Sequence, residues 1–187
     1  MTRSGLRRWY LQHAASSREC WVQLARVSPP SPNALSYLDA VEEALCFGWI
    51  DSTVRRMDDG VTRQRFSPRR HGSTSNWSEL NKARCVRLER LGLMTGAGRA
   101  ALSHARRFCV SEEIVAALRT DQKVWKNYCA FPELYRRVRI DTIQIKRKQP
   151  DVFARRLAKF IDFTRRGEVF GSWNDAGRLG EDDVPPY

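Results

Sequence analysis

The chain has 187 residues, of which 42% are hydrophobic and 10% aromatic, enough to bury a core. No apolar run approaches the ~18 residues of a membrane-spanning helix, and the first residues lack the pattern of a signal peptide. The formal net charge is +12, which favours acidic partners such as nucleic acid, an anionic surface or a small anion.

The cysteines and histidines argue against several classes of site. The five cysteines are scattered, without a C-x-x-C pair, which disfavours a disulfide framework or a zinc knuckle. The three histidines are isolated, and no phosphate-loop, dinucleotide-binding or zinc-protease motif occurs. We therefore expect free thiols, a cytoplasmic location, no metal and no cofactor.

The first part of the chain predicts two helices and a short strand. Helical spacing marks residues 6–16 and 37–47, and Ser36 is the expected N-cap of the second helix. Residues 20–27 have the composition of a strand. The proline-rich stretch at 28–33 predicts a break that neither a helix nor a central strand tolerates.

Residues 48–68 predict a β-hairpin with its turn at 58–60. A three-residue loop with Gly60 in the left-handed conformation would pair Met57 with Val61. Since a shift of one residue would mix apolar and charged side chains on both faces, this register is preferred.

Further from the turn, the same register pairs Thr53 with Arg65 and Asp51 with Ser67. The expected apolar face holds Ile50, Val54 and Phe66. The opposite face holds Trp49, Asp51, Arg63, Arg65 and Arg69. Asp51 would then lie diagonally opposite two arginines, within reach of their long side chains.

A helix is predicted over residues 77–91, with a helix-start pattern at Asn76 and a stop at Gly92. Its apolar stripe also carries an amide and a guanidinium, those of Asn81 and Arg84. Because an unpaired buried charge is very costly, these two side chains must be paired or must line a cavity.

In the rest of the chain, helices are predicted over residues 95–107, 133–147 and 151–166. One or two more are predicted over residues 111–131. The fold class is α+β, mainly helical with a small antiparallel sheet. We expect a single domain over residues 1–170, with a helical lobe from about residue 110, and a loose acidic tail over 171–187.

Charge is unevenly distributed near the C-terminal end. Residues 136–166 carry 11 basic groups and three acids, whereas residues 168–187 carry five acids and one arginine. The cations expected on a nucleic-acid or partner surface are Arg147, Arg155, Arg156, Lys159 and Arg166. The aromatic residues of this region fall mostly on the apolar side of their helix, so nucleic acid is not the favoured partner.

Three motifs occur in order through the middle of the chain: ALCFGWID at 44–51, FSPR at 66–69 and WSELNKARCVRLERLGLMTGAG at 77–98. They resemble the YdeI/OmpD-associated family, also described as bacteriocin-protection proteins. The resemblance spans roughly residues 9–168. It departs from the family pattern around 107–135, where we find no clear counterpart.

The resemblance implies an association with bacterial survival under cationic antimicrobial peptides and bacteriocins, and with an outer-membrane porin. It implies no established reaction. It also implies the place of a site, at the motif residues Trp49, Asp51, Arg65, Ser67, Arg69, Trp77, Ser78, Asn81 and Arg84.

The leading interpretation is a non-catalytic cytoplasmic stress- or toxin-protection protein that binds a small or anionic ligand in this motif cluster. Trp49 and Trp77 would stack on the ligand, and the arginines would donate bidentate hydrogen bonds to it. Asp51 and Asn81 would orient the arginines, and Asp51 is the expected carboxylate partner of Arg84.

Three alternatives stay open. The cluster could be a closed network of aspartate, arginine and asparagine that only fixes the hairpin onto the helix. An enzyme of unknown reaction could use Asp51 as a general base on an anionic substrate. Residues 136–166 could form a nucleic-acid-binding or partner-docking surface. The oligomeric state is left open.

Overall fold

A computed structural model describes residues 1–25, 34–70 and 77–186. The predicted break at 28–33 and the predicted helix start at Asn76 lie outside the described residues. Within these ranges, no helix combines the length and the apolar character that crossing a membrane requires.

The described part of the chain contains eight α-helices and three β-strands. The helices are α1 (Arg3–His13), α2 (Tyr37–Cys46), α3 (Glu79–Arg90), α4 (Gly96–Leu102), α5 (Glu112–Arg119), α6 (Gln122–Ala130), α7 (Glu133–Gln144) and α8 (Pro150–Arg166). The strands are β1 (Cys20–Val22), β2 (Trp49–Arg56) and β3 (Thr62–Pro68), in the antiparallel order β1-β3-β2. The prediction of a mainly helical α+β fold is confirmed.

The chain divides into two compact units, and the division falls inside α3. The N-terminal unit comprises residues 1–76 and 88–105, and the C-terminal unit comprises residues 77–87 and 106–187. The N-terminal unit holds the sheet, and the C-terminal unit is helical.

The core of the N-terminal unit contains interlocking aromatic rings. Trp49 is only 1% exposed, and its ring meets those of Trp9 and Tyr10 edge-on at centroid distances of 5.8 and 5.2 Å. The predicted cap of α2 is also present, since the Ser36 hydroxyl accepts a hydrogen bond from Asp39 N at 3.0 Å.

The hairpin has the predicted turn but not the predicted register at its far end. Gly60 is left-handed, with φ of 73°, and Met57 N donates to the carbonyl of Val61 at 2.9 Å. An irregularity in β2 between Asp51 and Val54 then shifts the pairing by one residue. A bulge of this kind adds one residue to one strand only, so the alternation of apolar and polar residues in the sequence does not reveal it.

The shift changes which side chains the sheet buries. Asp51 pairs with Phe66, not with Ser67, and the predicted register is therefore wrong beyond the bulge. Trp49 and Phe66 are buried, whereas Val54 of the predicted apolar face is 58% exposed.

Gly98 in α4 allows a close contact between this helix and the end of α2. A Cβ atom at this position would lie 2.3 Å from the carbonyl oxygen of Cys46, at the end of α2. The same carbonyl accepts hydrogen bonds from the hydroxyl and the backbone N–H of Thr95, at 2.6 and 3.1 Å. The small residues at the end of the third motif thus let α4 pack against α2.

The C-terminal unit has its own apolar core, in which Ile114, Tyr135 and Phe160 are fully buried. The predicted amphipathic character of α8 is confirmed, since Phe160 and Thr164 are buried whereas Arg155 is exposed. The segment after α8, expected to be a loose tail, includes buried Asp175, Leu179 and Asp183.

Candidate functional site

Within the N-terminal unit, the motif side chains have partners other than those expected. Asp51 accepts a hydrogen bond from the Tyr37 hydroxyl at 2.9 Å. Arg65 donates through Nε to Glu19 at 2.6 Å, a bond that lowers the pKa of Glu19. Asp51 and Arg65 are therefore each engaged with a residue outside the motifs.

The other motif residues of this unit lie on the end of the hairpin and just beyond it. Ser67 pairs with Ile50 in the sheet, and the buried Arg69 donates its backbone N–H to the carbonyl of Gly48 at 2.9 Å. Trp49 lies in the aromatic core, so its ring presents no exposed face for a ligand to stack on.

Arg84 confirms the expectation that a guanidinium on the apolar stripe of α3 is paired. It is 7% exposed and binds Asp175 in a bidentate manner, Nε at 2.6 Å and Nη2 at 2.8 Å. Its Nη1 donates to Asn81 at 2.7 Å. The expected carboxylate partner, Asp51, is replaced by an acid 91 residues downstream, in the segment predicted to be loose.

The two remaining motif residues lie at the start of α3. Trp77 is buried, and the Ser78 hydroxyl accepts a hydrogen bond from Asn81 N at 3.3 Å, as a cap does. In the C-terminal unit, the motif residues thus begin α3 and fasten it to the segment that contains Asp175.

A second buried ionic network surrounds Glu79, which is 1% exposed. Its carboxylate accepts hydrogen bonds from Lys82 at 2.5 Å and from Arg137 at 2.8 Å. Asp141 accepts the backbone N–H of Glu79 at 3.1 Å. Burial raises the pKa of Asp141 to about 6, and the charge of Glu79 acts in the same direction.

Two of the five cations predicted to form a basic surface are paired with acids. Arg147 lies 3.6 Å from Glu113, and Arg166 lies 3.1 Å from Asp162. Of the predicted set, Arg155 and Lys159 are exposed on α8, and Arg156 and Lys159 line a cavity.

This cavity has a volume of about 300 Å³ and is formed by α7, α8 and the residue Phe170. Three of its lining residues are cations, namely Arg139, Arg156 and Lys159, and no lining residue is an acid. We call it the cation pocket. Among the described residues, no carboxylate lies within ion-pair distance of any of the three.

Helical spacing places the lining residues on facing stripes. Along α7 they are Arg139, Thr142 and Ile143, and along α8 they are Arg156, Lys159 and Phe160. Residues three and four apart share one face of a helix, so each helix contributes a compact polar and apolar group.

The loop after α8 completes the wall of the cation pocket. Gly171 has φ of 71°, and a Cβ atom there would lie 2.6 Å from Arg139 Nη1. Glycine therefore lets the loop approach the guanidinium, and Arg139 Nη2 donates to the carbonyl of Ser172 at 2.9 Å. The cations Arg139 and Lys159 lie over the Phe170 ring, 5.4 and 5.1 Å from its centroid.

Within the described residues, the positive charges of the cation pocket are not balanced by an acid. Burial lowers the pKa of Arg139, and the nearby charge of Arg156 lowers it further. The Nε atom of Arg139 is buried without a hydrogen-bond partner. An unsatisfied buried donor and three close positive charges are unfavourable unless an anion binds there.

A larger cavity in the same unit, of about 680 Å³, has different chemistry. It is lined by Arg137 and Glu133, whose side chains are 3.5 Å apart, and by Pro185, whose carbonyl accepts a hydrogen bond from Arg137 at 2.6 Å. Of its three arginines, Arg137 is thus already bound by groups of this chain, whereas the buried Nε of Arg136 has no hydrogen-bond partner. Unlike the cation pocket, this cavity also contains a carboxylate, that of Glu133.

Arg139 was not among the site residues predicted from the sequence, although its place on a helical stripe could have indicated it. Arg139 shares a helical stripe with Ile143, so it is a cation on an apolar face, like Arg84 on α3. What spacing alone could not show is whether such a guanidinium has a carboxylate partner.

No metal site emerges from the residues that the structure describes, since they contain no group of three or more histidine, cysteine, aspartate or glutamate side chains placed to hold an ion. The donor set of the cation pocket, two guanidiniums and an ammonium, is chemically suited to anions and not to metal ions.

Comparisons with known proteins match two family models. Residues 1–101 match the domain of unknown function DUF8412, and residues 108–167 match the family described as bacteriocin-protection, YdeI or OmpD-associated. The second match confirms the suspected family. It also corrects the expectation of no counterpart around 107–135, most of which it includes.

All three motifs on which the resemblance was based lie within the first match, and the cation pocket is formed mainly by residues of the second. No curated protein and no solved structure matches the chain. The chain belongs to the DUF8412 family and carries a YdeI/OmpD-associated, bacteriocin-protection family domain at residues 108–167.

Proposed function

We propose that this protein is a non-catalytic, cytoplasmic protection protein that binds a small anion in the cation pocket. The observation that carries the proposal is the grouping of Arg139, Arg156 and Lys159 around one cavity without a carboxylate. These three cations line one partly enclosed cavity, where their like charges repel one another. A bound anion would relieve that repulsion.

The motif cluster supports this choice of site by contrast. Arg84 already binds Asp175, and Arg65 already binds Glu19, so their strongest donors are used within the chain. A ligand at either position would have to displace a carboxylate. At the cation pocket it would displace only solvent.

Binding is favoured over catalysis by the composition of the cation pocket. Its lining includes no histidine, cysteine or carboxylate, the side chains that most often transfer protons or attack a substrate. The name of the matched family adds a setting, protection against bacteriocins, in which capture of an anionic molecule would serve.

Isothermal titration calorimetry with sodium sulfate tests the proposal. The wild-type protein should bind sulfate, and Arg156→Gln should abolish the binding. Arg155→Gln is the matched control, because it removes the same charge from the adjacent position on α8 without altering the lining of the cavity. Equal binding by the two variants, or no binding by the wild type, would contradict the proposal.

An oligonucleotide arm separates this function from nucleic-acid binding. A surface formed by residues 136–166 predicts affinity for an oligonucleotide that falls steeply with salt and that both variants weaken alike. The cation pocket predicts sulfate binding that only Arg156→Gln removes.

A further inference from the structure

We infer that the ligand of the cation pocket is a small organic phosphate, a phosphomonoester attached to a compact apolar group. This inference rests on the proposed function, because it names the class of anion. It depends on which donors of the cation pocket remain available, on their charge, and on the apolar part of the wall.

Among the described residues, the three cations keep hydrogen-bond donors that have no acceptor in the protein. Arg139 gives Nη2 to the carbonyl of Ser172, and its buried Nε has no hydrogen-bond partner. Arg156 gives Nη1 to the carbonyl of Thr142, and Lys159 has its contacts with aromatic rings. Donors from three side chains on two helices therefore converge on one space.

A phosphomonoester fits this set better than a carboxylate does. It presents three acceptor oxygens and carries a charge of about −1.5 to −2 at neutral pH. A carboxylate offers two oxygens and one charge. Since three cations face the cavity without an acid, a dianion compensates more of their charge and can engage all three.

The cations alternate with apolar side chains in the wall of the cation pocket. Ile143, Phe160 and Phe170 line it, so an inorganic anion would leave these side chains against water. A volume of about 300 Å³ is at the lower end for small-molecule sites. The ligand should therefore carry a single ring or a short chain next to its phosphate.

Calorimetric titrations with phenyl phosphate, phenyl sulfate and inorganic phosphate test the inference. Phenyl phosphate and phenyl sulfate have the same ring and a tetrahedral oxyanion, but only the phosphate takes a second charge, with a pKa of about 6. At pH 7.5 phenyl phosphate should bind at least about tenfold more tightly than phenyl sulfate and than inorganic phosphate.

The pH dependence gives an independent readout. At pH 5 phenyl phosphate is a monoanion, so its advantage over phenyl sulfate should disappear. Phenyl sulfate keeps its charge at both pH values and reports any titration of the protein itself. Arg156→Gln should remove binding of phenyl phosphate, and Arg155→Gln should retain it.

Each other outcome overturns a defined part of the reasoning. Equal affinity for phenyl phosphate and phenyl sulfate at pH 7.5 would overturn the phosphate class and leave anion binding intact. Inorganic phosphate binding as tightly as phenyl phosphate would overturn the apolar component. No binding of any of the three would overturn the proposed function as well.

A lipid headgroup can carry the same phosphomonoester, and a separate arm distinguishes that source. Because the net charge is +12, vesicles of phosphatidylcholine with phosphatidic acid should attract the protein nonspecifically, and they should sediment Arg156→Gln and Arg155→Gln equally. Sedimentation that only Arg156→Gln weakens, together with no affinity for phenyl phosphate, would overturn the small-molecule ligand.

Discussion

Two arginines that lie two residues apart on α7 have opposite surroundings. Arg137 binds the buried carboxylate of Glu79 and the carbonyl of Pro185, at 2.8 and 2.6 Å. Arg139 faces the cation pocket, where its neighbours are Arg156 and Lys159. The same side chain thus has a structural role on one face of the helix and is available to a ligand on the other.

The difference teaches that burial alone does not identify a binding arginine. A guanidinium paired with a buried acid stabilises the fold only if the pair is intact, and breaking it leaves an uncompensated charge. A guanidinium held near other cations, with no carboxylate near it among the described residues, gains a balancing negative charge only from a bound ligand. Charge compensation within the fold is therefore what separates the two roles.

The largest expected effect is a loss of stability when the buried ion pair of Arg137, on one face of α7, is broken. Glu79→Ala should lower the free energy of unfolding by about 3–5 kcal/mol, because Lys82 and Arg137 would stay buried after losing the buried carboxylate that they share. Urea denaturation measures the change. Glu133→Gln, which removes an exposed partner of Arg137, is the control and should cost less than about 1 kcal/mol. Similar small losses in both variants would refute a structural role for Glu79.

The next effect concerns pH and Asp141, whose carboxyl lies beside this network. Its pKa rises from an ordinary 3.8 to about 6 in the folded protein, first because of burial. Between those values the unfolded chain has released the proton and the folded chain has not. The contribution of Asp141 to stability therefore falls as the pH rises from about 4 to 6.

Asp141→Asn should remove this dependence while keeping an acceptor for Glu79 N. Relative to the wild type, the variant should gain up to about 3 kcal/mol of stability between pH 4 and pH 7. Urea denaturation of both proteins across that range provides the test. A difference that stays constant, or that changes in the opposite direction, would show that the folded carboxyl titrates normally.

A smaller change in stability is expected on the uncompensated face. Arg139→Gln loses one hydrogen bond to Ser172 but also removes a charge from a crowded site, so unfolding should change by less than about 1 kcal/mol. Sulfate binding should nevertheless be lost. Arg137→Gln, its matched control, should cost about 3 kcal/mol. A large loss of stability in Arg139→Gln would place Arg139 with the structural arginines.

The smallest effect is predicted for Asp51→Asn. Asp51 has a single exposed hydrogen bond with Tyr37 in place of the expected network, so the variant should lose less than about 1 kcal/mol. Thermal unfolding is sufficient to measure this. A loss of 3–5 kcal/mol, which a closed network with the motif arginines would give, would contradict the pairing described above.

The sequence predicted local structure well because local rules determine it. Helical spacing identified α8 and its buried face, and the glycine at position 60 identified the hairpin turn. The bulge in β2 was not predictable from alternation, because it depends on how one strand meets the rest of the sheet. The pairing beyond it was therefore wrong by one residue.

For the site, the sequence predicted the need for a partner but not the partner. Arg84 on an apolar stripe required an acid, yet Asp175 lies far along the chain and nothing local connects the two. Two cations of the cation pocket, Arg156 and Lys159, were predicted from the sequence as part of a basic surface. The third, Arg139, was not, because it lies on another helix. Long-range pairing of charges depends on the tertiary fold, which spacing within one helix does not encode.

The most direct test of the central claim compares two melting temperatures in rising concentrations of inorganic phosphate. A ligand that binds only the folded state raises the melting temperature by mass action, so Arg155→Gln should respond as the wild type does. Arg156→Gln should show only the general effect of the salt. If phosphate raises the melting temperatures of both variants equally, the uncompensated cations of α7 and α8 do not form an anion site.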